Sequence, residues 1–490
     1  MKKRFITALT FAFVGIMMFA QPKAKYVFYF IGDGMGVNQV NAAETYLGAL
    51  QGKIGIVPLC FPSFPNSALV NTQSGTNGVT DSAAGGTALA SGNKTHNGTL
   101  GMLKDLTTNV KSIAEEARDE GYAVGISTTV SVDHATPGAF YAHVQGRGEY
   151  HKIGLQLIDS KFDFFAGSEF LKPVENNEDL YKLAKKGGYT IARGLQDFKK
   201  KEKKADKIIL FQTEEAAKIN TSCLPYALDR KPGDLTLKQI AESGIDYLMK
   251  KNKKGFFFML EGGKIDWGCH SNDAAAFINE LIDMDDAVRV AYDFYKQHPD
   301  ETLIVITADH ETGGLALGRG PYELHLDKLK EQRNTAATFS LRADSLFKAK
   351  GAENTTWEDM KALLTDGFGF WTKLPLSDSQ TKRLQSSFET TKEGAAKQKN
   401  EYDSTNGIST MAKKIIDECA LVGWQSGGHS NGYVPVFAIG AGAEQYNGRI
   451  DNTEIPKKIA KAMGVKFKAT SRETTTVPGI FIPGTVCFCQ

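Results

Sequence analysis

Three apolar runs in this chain end on carboxylates or histidines, and that pattern restricts the fold more than any other feature. Tyr26 to Ile31 leads into Gly32-Asp33-Gly34-Met35-Gly36. Phe256 to Leu260 leads into Glu261-Gly262-Gly263, then Asp266 and His270, and Leu303 to Thr307 leads into Asp309-His310. These runs are rich in Val, Ile, Phe and Tyr and lack polar alternation, as strands buried on both faces do. Ala123 to Ser127, Ile208 to Phe211 and Val434 to Ile439 are three more of the same kind. Helical patterns separate them. In one, Phe277, Leu281, Met284, Val288, Ala291 and Tyr295 recur at intervals of three and four, which makes one apolar stripe. Alternation of this sort implies an α/β fold with a central, mostly parallel β-sheet flanked by helices. Ligands of such sheets bind beyond the carboxyl ends of the strands, so the acids and imidazoles are expected to gather at one rim.

The chain has 490 residues, 41% hydrophobic and 23% charged, which is enough apolar material for a large core. Lys and Arg total 58 against 56 Asp and Glu, a net charge of +2. That balance speaks against nucleic acid or an anionic membrane as a bulk partner. Lys2, Lys3 and Arg4 precede an apolar run from Phe5 to Phe19 and the small Ala20, so residues 1–20 read as a signal peptide. The mature protein is then exported, periplasmic or extracellular, with no stable membrane insertion after cleavage. Residues 21–464 read as the main domain. Within it, a polar, mostly helical insertion of about 322–419 is expected to cap or flank the sheet. Residues 465–490 form a tail of unclear role. The six cysteines show no zinc-finger spacing, and their pairing stays open.

Asp266 and His270 are four apart, which puts both on one face if a helix begins there. Asp309 and His310 are adjacent, and both can converge from an irregular turn after their strand. His429 lies in the glycine-rich stretch Gly427-Gly428-His429-Ser430-Asn431-Gly432, just before an apolar strand. Carboxylates mixed with imidazoles suit zinc, and oxygen ligands alone suit magnesium. Ser82 opens a run of small residues, Ser82-Ala83-Ala84-Gly85-Gly86, and is expected at a helix N-terminus. Backbone N–H groups and the helix dipole favour an anion there, and the hydroxyl could equally serve as the N-cap.

Five blocks together resemble the alkaline phosphatases. They are Asp33-Gly34-Met35-Gly36, Asp81-Ser82-Ala83-Ala84, His134-Ala135-Thr136-Pro137, Glu261-Gly262-Gly263-Lys264-Ile265-Asp266 and Asp309-His310-Glu311-Thr312-Gly313-Gly314. They stand in family order, and the similarity spans roughly Tyr26 to Gly464. The resemblance implies hydrolysis of small phosphate monoesters through a phosphoserine on Ser82, with two zinc ions and one magnesium ion. It implies Asp266, His270 and His429 on one zinc, and Asp33, Asp309, His310 and Ser82 on the other. Asp33, Thr136 and Glu261 would hold magnesium, with His134 behind them. Arg147, thirteen residues beyond His134, would bind phosphate, and Asp81 would orient it. Members are often homodimers.

Two positions vary within that family. Its best-known bacterial members carry Asp in place of His134 and Lys in place of Trp267, whereas vertebrate members have His at both. Trp267 can offer only an indole N–H, so a changed dependence on magnesium is expected. Cys269, between two ligands, reads as a buried bystander. A phosphodiesterase or sulfatase on the same scaffold would share most ligands. Arg147 and a third metal site favour the monoester, and the modified residue of sulfatases has no counterpart around Ser82.

Overall fold

A computed structural model of the chain describes residues 23–251, 254–394, 397–399, 402 and 404–467. The signal-peptide reading of residues 1–20 lies outside the described residues, as do 468–490 with Cys487 and Cys489.

Ten strands make the central sheet: β1 (Tyr26–Gly32), β2 (Asn66–Asn71), β3 (Ala123–Thr128), β4 (Phe164–Gly167), β5 (Tyr189–Arg193), β6 (Lys207–Phe211), β7 (Phe256–Gly262), β8 (Thr302–Thr307), β9 (Val434–Gly440) and β10 (Gly448–Asp451). Their order across the sheet is β10-β2-β9-β8-β1-β7-β3-β4-β6-β5. β9 runs antiparallel to both neighbours, and every other pairing is parallel. This is the mostly parallel sheet expected from the apolar runs, and all six of those runs are strands.

β1 lies at the centre because nothing in it tolerates water: all seven of its residues are buried. Full burial of each Val, Ile or Phe stabilises by about 1.5–3 kcal/mol. Its register carries the functional consequence. Ile31 pairs with Thr307 of β8 on one side and Glu261 of β7 on the other, and Glu261 pairs in turn with Thr128 of β3. The four strands therefore end level, and whatever follows each of them emerges at one rim.

The apolar stripe near residue 280 lies on a helix of 24 residues, Ala274–Gln297, whose Phe277, Leu281, Met284, Val288 and Ala291 are buried. Helix α1 (Ser82–Ser91) has every residue buried, which its Ala and Gly content permits because small side chains allow close approach. At Gly85 an added Cβ would come within 3.0 Å of the Asp309 carbonyl oxygen. The polar segment forms helices α2 (Ala336–Lys350), α3 (Trp357–Phe368), α4 (Asp378–Lys392) and α5 (Gly407–Ala420).

Candidate active site

Each element delivers its side chains to the rim for a local reason. Asp33 follows β1 directly, and the turn after it depends on Gly34, whose φ is +72°. A Cβ at Gly34 would lie 2.9 Å from the Asp266 Cα, Asp266 Oδ1 and Thr312 Oγ1. We expect Gly34→Ala to cost about 1–3 kcal/mol through its left-handed backbone alone, and to push Asp33 away from Asp266. Thermal denaturation and the metal content of the purified variant read this. Unaltered values for both would refute it.

Asp266 and His270 lie on the short helix Lys264–His270 and face each other, with His270 Nε2 3.2 Å from Asp266 Oδ2. His429 reaches the same place from the opposite chain direction. Because β9 is antiparallel, its start rather than its end lies at the rim, so the residues before it approach the site. A two-residue ladder, Glu311–Thr312 against His429–Ser430, fixes the approach. His429 Nε2 then lies 3.1 Å from His270 Nε2 and 3.7 Å from Asp266 Oδ1. His310, after β8, has Nε2 at 3.4 Å from both Asp33 Oδ1 and Asp309 Oδ2, and its ring stacks on His429 with centroids 3.6 Å apart.

The protonation of these rings follows from their partners. Nδ1 of His270 is 2.6 Å from the Gly427 carbonyl, and Nδ1 of His429 is 2.8 Å from the Thr80 carbonyl. A carbonyl only accepts, so each Nδ1 carries the hydrogen and each neutral ring presents its Nε2 lone pair inward. His310 is arranged alike: the Thr312 hydroxyl donates to Asp266 Oδ1, which leaves its oxygen to accept from His310 Nδ1 at 3.2 Å. Three imidazole lone pairs thus face carboxylate oxygens and one another. A cation shared among these nitrogens and oxygens would offset their mutual repulsion.

The carboxylates require the same remedy. Asp33, Glu261, Asp266 and Asp309 are all fully buried. Burial, reinforced by the charges of Asp309, Asp266 and Glu261, pushes the Asp33 carboxyl well above its ordinary range. Burial first, then Asp309, raises Glu261 to about 8. Burial first, then Asp266, raises Asp309 to about 6. At Asp266 burial acts upward too, but positive charge at His270, and then at His429 and His310, holds it below the usual range, a charge that a cation on the neutral rings would supply instead. Glu261 Oε1 and His134 Nδ1 are buried and have no hydrogen-bond partner among the described residues. Among the described residues three groups bring ligand atoms within 4.8 Å of one another: Asp266 with His310 and His429, Asp33 with Asp309 and His310, and Asp33 with His134 and Glu261. The first set offers one carboxylate and two imidazoles and the other two offer two carboxylates and one imidazole each, donors that suit divalent cations. Thr136 Oγ1 is 3.4 Å from oxygens of both Asp33 and Asp309. His134, read from sequence as standing behind the ligands, is brought level with Asp33 and Glu261, while burial first and then Arg147 depress its pKa to about 3.

Ser82 is the first residue of α1 and is fully buried, with Oγ 3.2 Å from His310 Nε2. The N-cap is not Ser82 but Asp81, whose Oδ1 accepts from the Ala84 N–H at 3.0 Å. The other oxygen of Asp81 accepts from Arg147 Nη1 at 3.1 Å. One carboxylate therefore caps the helix and holds the guanidinium. An open cleft of about 670 Å³, lined by Val79, Thr80, Asp81, His270 and His429 among others, leads from this face to solvent.

Cys269 is buried and its thiol is pushed well above the ordinary range, chiefly by burial, so the bystander reading suits its surroundings. Trp267 differs from expectation. Its indole Nε1 has no hydrogen-bond partner among the described residues, and its ring face is what it uses, against Tyr402. Thr312, Thr128 and Tyr402 also stand in the site, Thr128 by donating to Glu261. The Glu311-Thr312 block carried a signal for Thr312; nothing in sequence marked the other two.

The chain matches the family profile described as alkaline phosphatase over residues 24–161 and 175–465. It is 31% identical over 466 residues to alkaline phosphatase 3 of Bacillus subtilis (strain 168), covering 92% of each chain. Alkaline phosphatase 4 of the same organism is 32% identical over 79% of this chain and 77% of its own. Among solved structures, a cold-active alkaline phosphatase from a psychrophilic Shewanella superposes with a TM-score of 0.74 at 26% identity, covering 89% of this chain and 99% of that one. The alkaline phosphatase of the Antarctic bacterium TAB5 gives 0.63 at 26% identity, covering 91% and 100%.

Proposed function

The chain belongs to the alkaline phosphatase family, whose members hydrolyse phosphate monoesters, and we propose that it does so through a phosphoserine on Ser82, with two zinc ions and one magnesium ion. The observation that carries this is the meeting of inward Nε2 lone pairs with buried carboxylates beside a serine at a helix N-terminus. Asp266, His270 and His429 would hold one zinc and Asp33, Asp309, His310 and Ser82 the other. Asp33, Thr136, Glu261 and His134 would hold magnesium; a TAB5 variant structure has magnesium bound in its M3 site. Such ions supply Lewis acidity that favours a deprotonated serine and a hydroxide at neutral pH, and positive charge that offsets the buried acids.

The chain's own residues do the rest. Ser82 Oγ attacks phosphorus, the P–O bond to the alcohol breaks, and the alcohol leaves with a proton. Water then attacks the phosphoserine, returning the Ser82 hydroxyl and releasing inorganic phosphate. The free N–H groups at the start of α1 and the Arg147 guanidinium hold the non-bridging oxygens throughout. Asp81 keeps both in place, because it is bonded to the helix start and to Arg147 at once. Arg147 and the third cation group favour a dianionic terminal phosphoryl group over a diester.

Relative rates on an aryl phosphate, the matching diester and the matching sulfate test this reading. We expect the monoester to be at least about 100-fold faster than either, the equivalent of losing one good ionic contact. A diester or sulfate hydrolysed faster would move the chain to another activity on this scaffold. No helix among the described residues is long and apolar enough to cross a membrane. With the basic start and apolar run at residues 2–19, that supports an exported enzyme.

A further inference from the structure

Glu311 follows His310 in the chain and is buried, and its carboxylate is occupied by four neutral donors. Oε1 accepts from Gln39 Nε2 at 2.7 Å and from the Leu315 N–H at 3.3 Å. Oε2 accepts from the Gly314 N–H at 3.2 Å and from the Ser430 hydroxyl. Ser430 Oγ accepts in turn from the Gly432 N–H at 3.1 Å, and Gln39 Nε2 also donates to the Thr312 carbonyl at 2.8 Å. Two glycines make room for the side chain. A Cβ added at Gly36 would lie 2.4 Å from Glu311 Cγ, and one at Gly432 would lie 3.3 Å from its Cβ and Cγ.

These contacts join three segments that carry ligands of the cluster. Gly36 precedes the helix Val37–Leu50, which holds Gln39, and both follow Asp33. Gly314 and Leu315 follow Asp309 and His310, and Ser430 and Gly432 follow His429. The ladder that brings His429 in has two residues on each side, and Glu311 pairs with Ser430 across it. So short a ladder is marginal by itself, and a hydrogen bond to a carboxylate is about twice as strong as one between neutral groups. The four donors also explain why the residue is Glu. A carboxylate accepts on both oxygens, whereas a glutamine amide would turn its NH2 toward the Leu315 N–H in one orientation and the Gly314 N–H in the other. Metal ligands must be held within about 0.5 Å of their working geometry. Glu311 is bonded into both carriers, next to His310 in the chain and across the ladder from the strand of His429.

We propose that Glu311 is a positioning residue that fixes the spacing of His310 and His429, and so how tightly the cluster holds zinc. This rests on the zinc reading of those ligands. Glu311→Gln is expected to weaken zinc binding about tenfold or more, measured by competition with a chromogenic chelator, as loss of a group that orients metal ligands does. With cobalt in place of zinc the visible absorption bands should shift, because they report ligand geometry. The metal-free protein should melt within a few degrees of the parent. A role confined to holding the fold would do the reverse, lowering the metal-free midpoint and leaving zinc affinity and cobalt bands as they are. Ser430→Ala keeps the carboxylate and removes one link. It should weaken zinc binding about threefold alone and add little beside Glu311→Gln. Unaltered zinc affinity in Glu311→Gln, or in Ser430→Ala should the first variant fail to fold, overturns the proposal, as does a Ser430 effect that persists in full beside Glu311→Gln. A parent chain that binds no zinc would instead sink the reading of the ligands, so the two failures are distinct.

Discussion

Ser82→Ala is expected to lower kcat on a phosphate monoester by at least about 10⁴-fold while the protein stays folded. The structure makes this a clean test of chemistry. Were Ser82 the N-cap, its loss would also cost about 1 kcal/mol of helix stability and blur the result. Asp81 is the cap, through the bond from the Ala84 N–H, and alanine is well suited to the first position of a helix. The buried hydroxyl contacts His310 Nε2 and is not needed to complete the fold. The variant should therefore unfold within a few degrees of the parent and retain its metal. Acid quenching during turnover, followed by mass spectrometry, should find phosphate on the Ser82 peptide of the parent and none in the variant. A phosphoenzyme that persists in Ser82→Ala would remove Ser82 from the role.

Removing divalent cations should have an effect as large on activity, together with one on stability. Dialysis against a chelator is expected to abolish turnover, and zinc with magnesium to restore it. A cation present at 1,000 times its Kd stabilises the folded state by about 4 kcal/mol, and the metal-free protein forfeits this for each site. The loss should depend on pH with a defined sign. In the metal-free folded state Asp33, Asp309 and Glu261 all have pKa values raised above those of the unfolded chain, Glu261 to about 8. Raised carboxyls contribute fully only below their unfolded values, and that contribution is lost as pH rises through the folded ones. The metal-free protein should thus melt at lower temperature at pH 8.5 than at pH 5.5. With cations bound the anionic forms are wanted, so the gap between loaded and metal-free midpoints should widen toward high pH. A gap that narrows, or full activity in excess chelator, would contradict this account of the cluster.

Much of the sheet could be read directly, because strands buried on both faces announce themselves as unbroken apolar runs. The four strands that escaped such reading lack that signal for physical reasons. β5 and β10 are the edges, and β2 alternates buried and exposed residues in Asn66-Ser67-Ala68-Leu69-Val70-Asn71. β4 is Phe164-Phe165-Ala166-Gly167, half of it Ala and Gly, which carry little strand signal. The candidate site was legible where neighbours in sequence are neighbours in space. Asp266 and His270, one helical turn apart, are the clearest case.

By itself, then, the sequence determined the buried strands, the acids and imidazoles that follow them, and the serine opening a helix of small residues. These are local matters of burial, backbone freedom and helical repeat. Only the tertiary structure decided how they meet. The antiparallel β9 turns the start of a strand toward the rim and so brings in His429. Carbonyls of Gly427 and Thr80 choose the tautomers of His270 and His429. Tyr402 closes on Arg147 from a segment without any motif. Each depends on contacts between residues hundreds of positions apart, whose distances are set by the packed sheet and not by any stretch of chain.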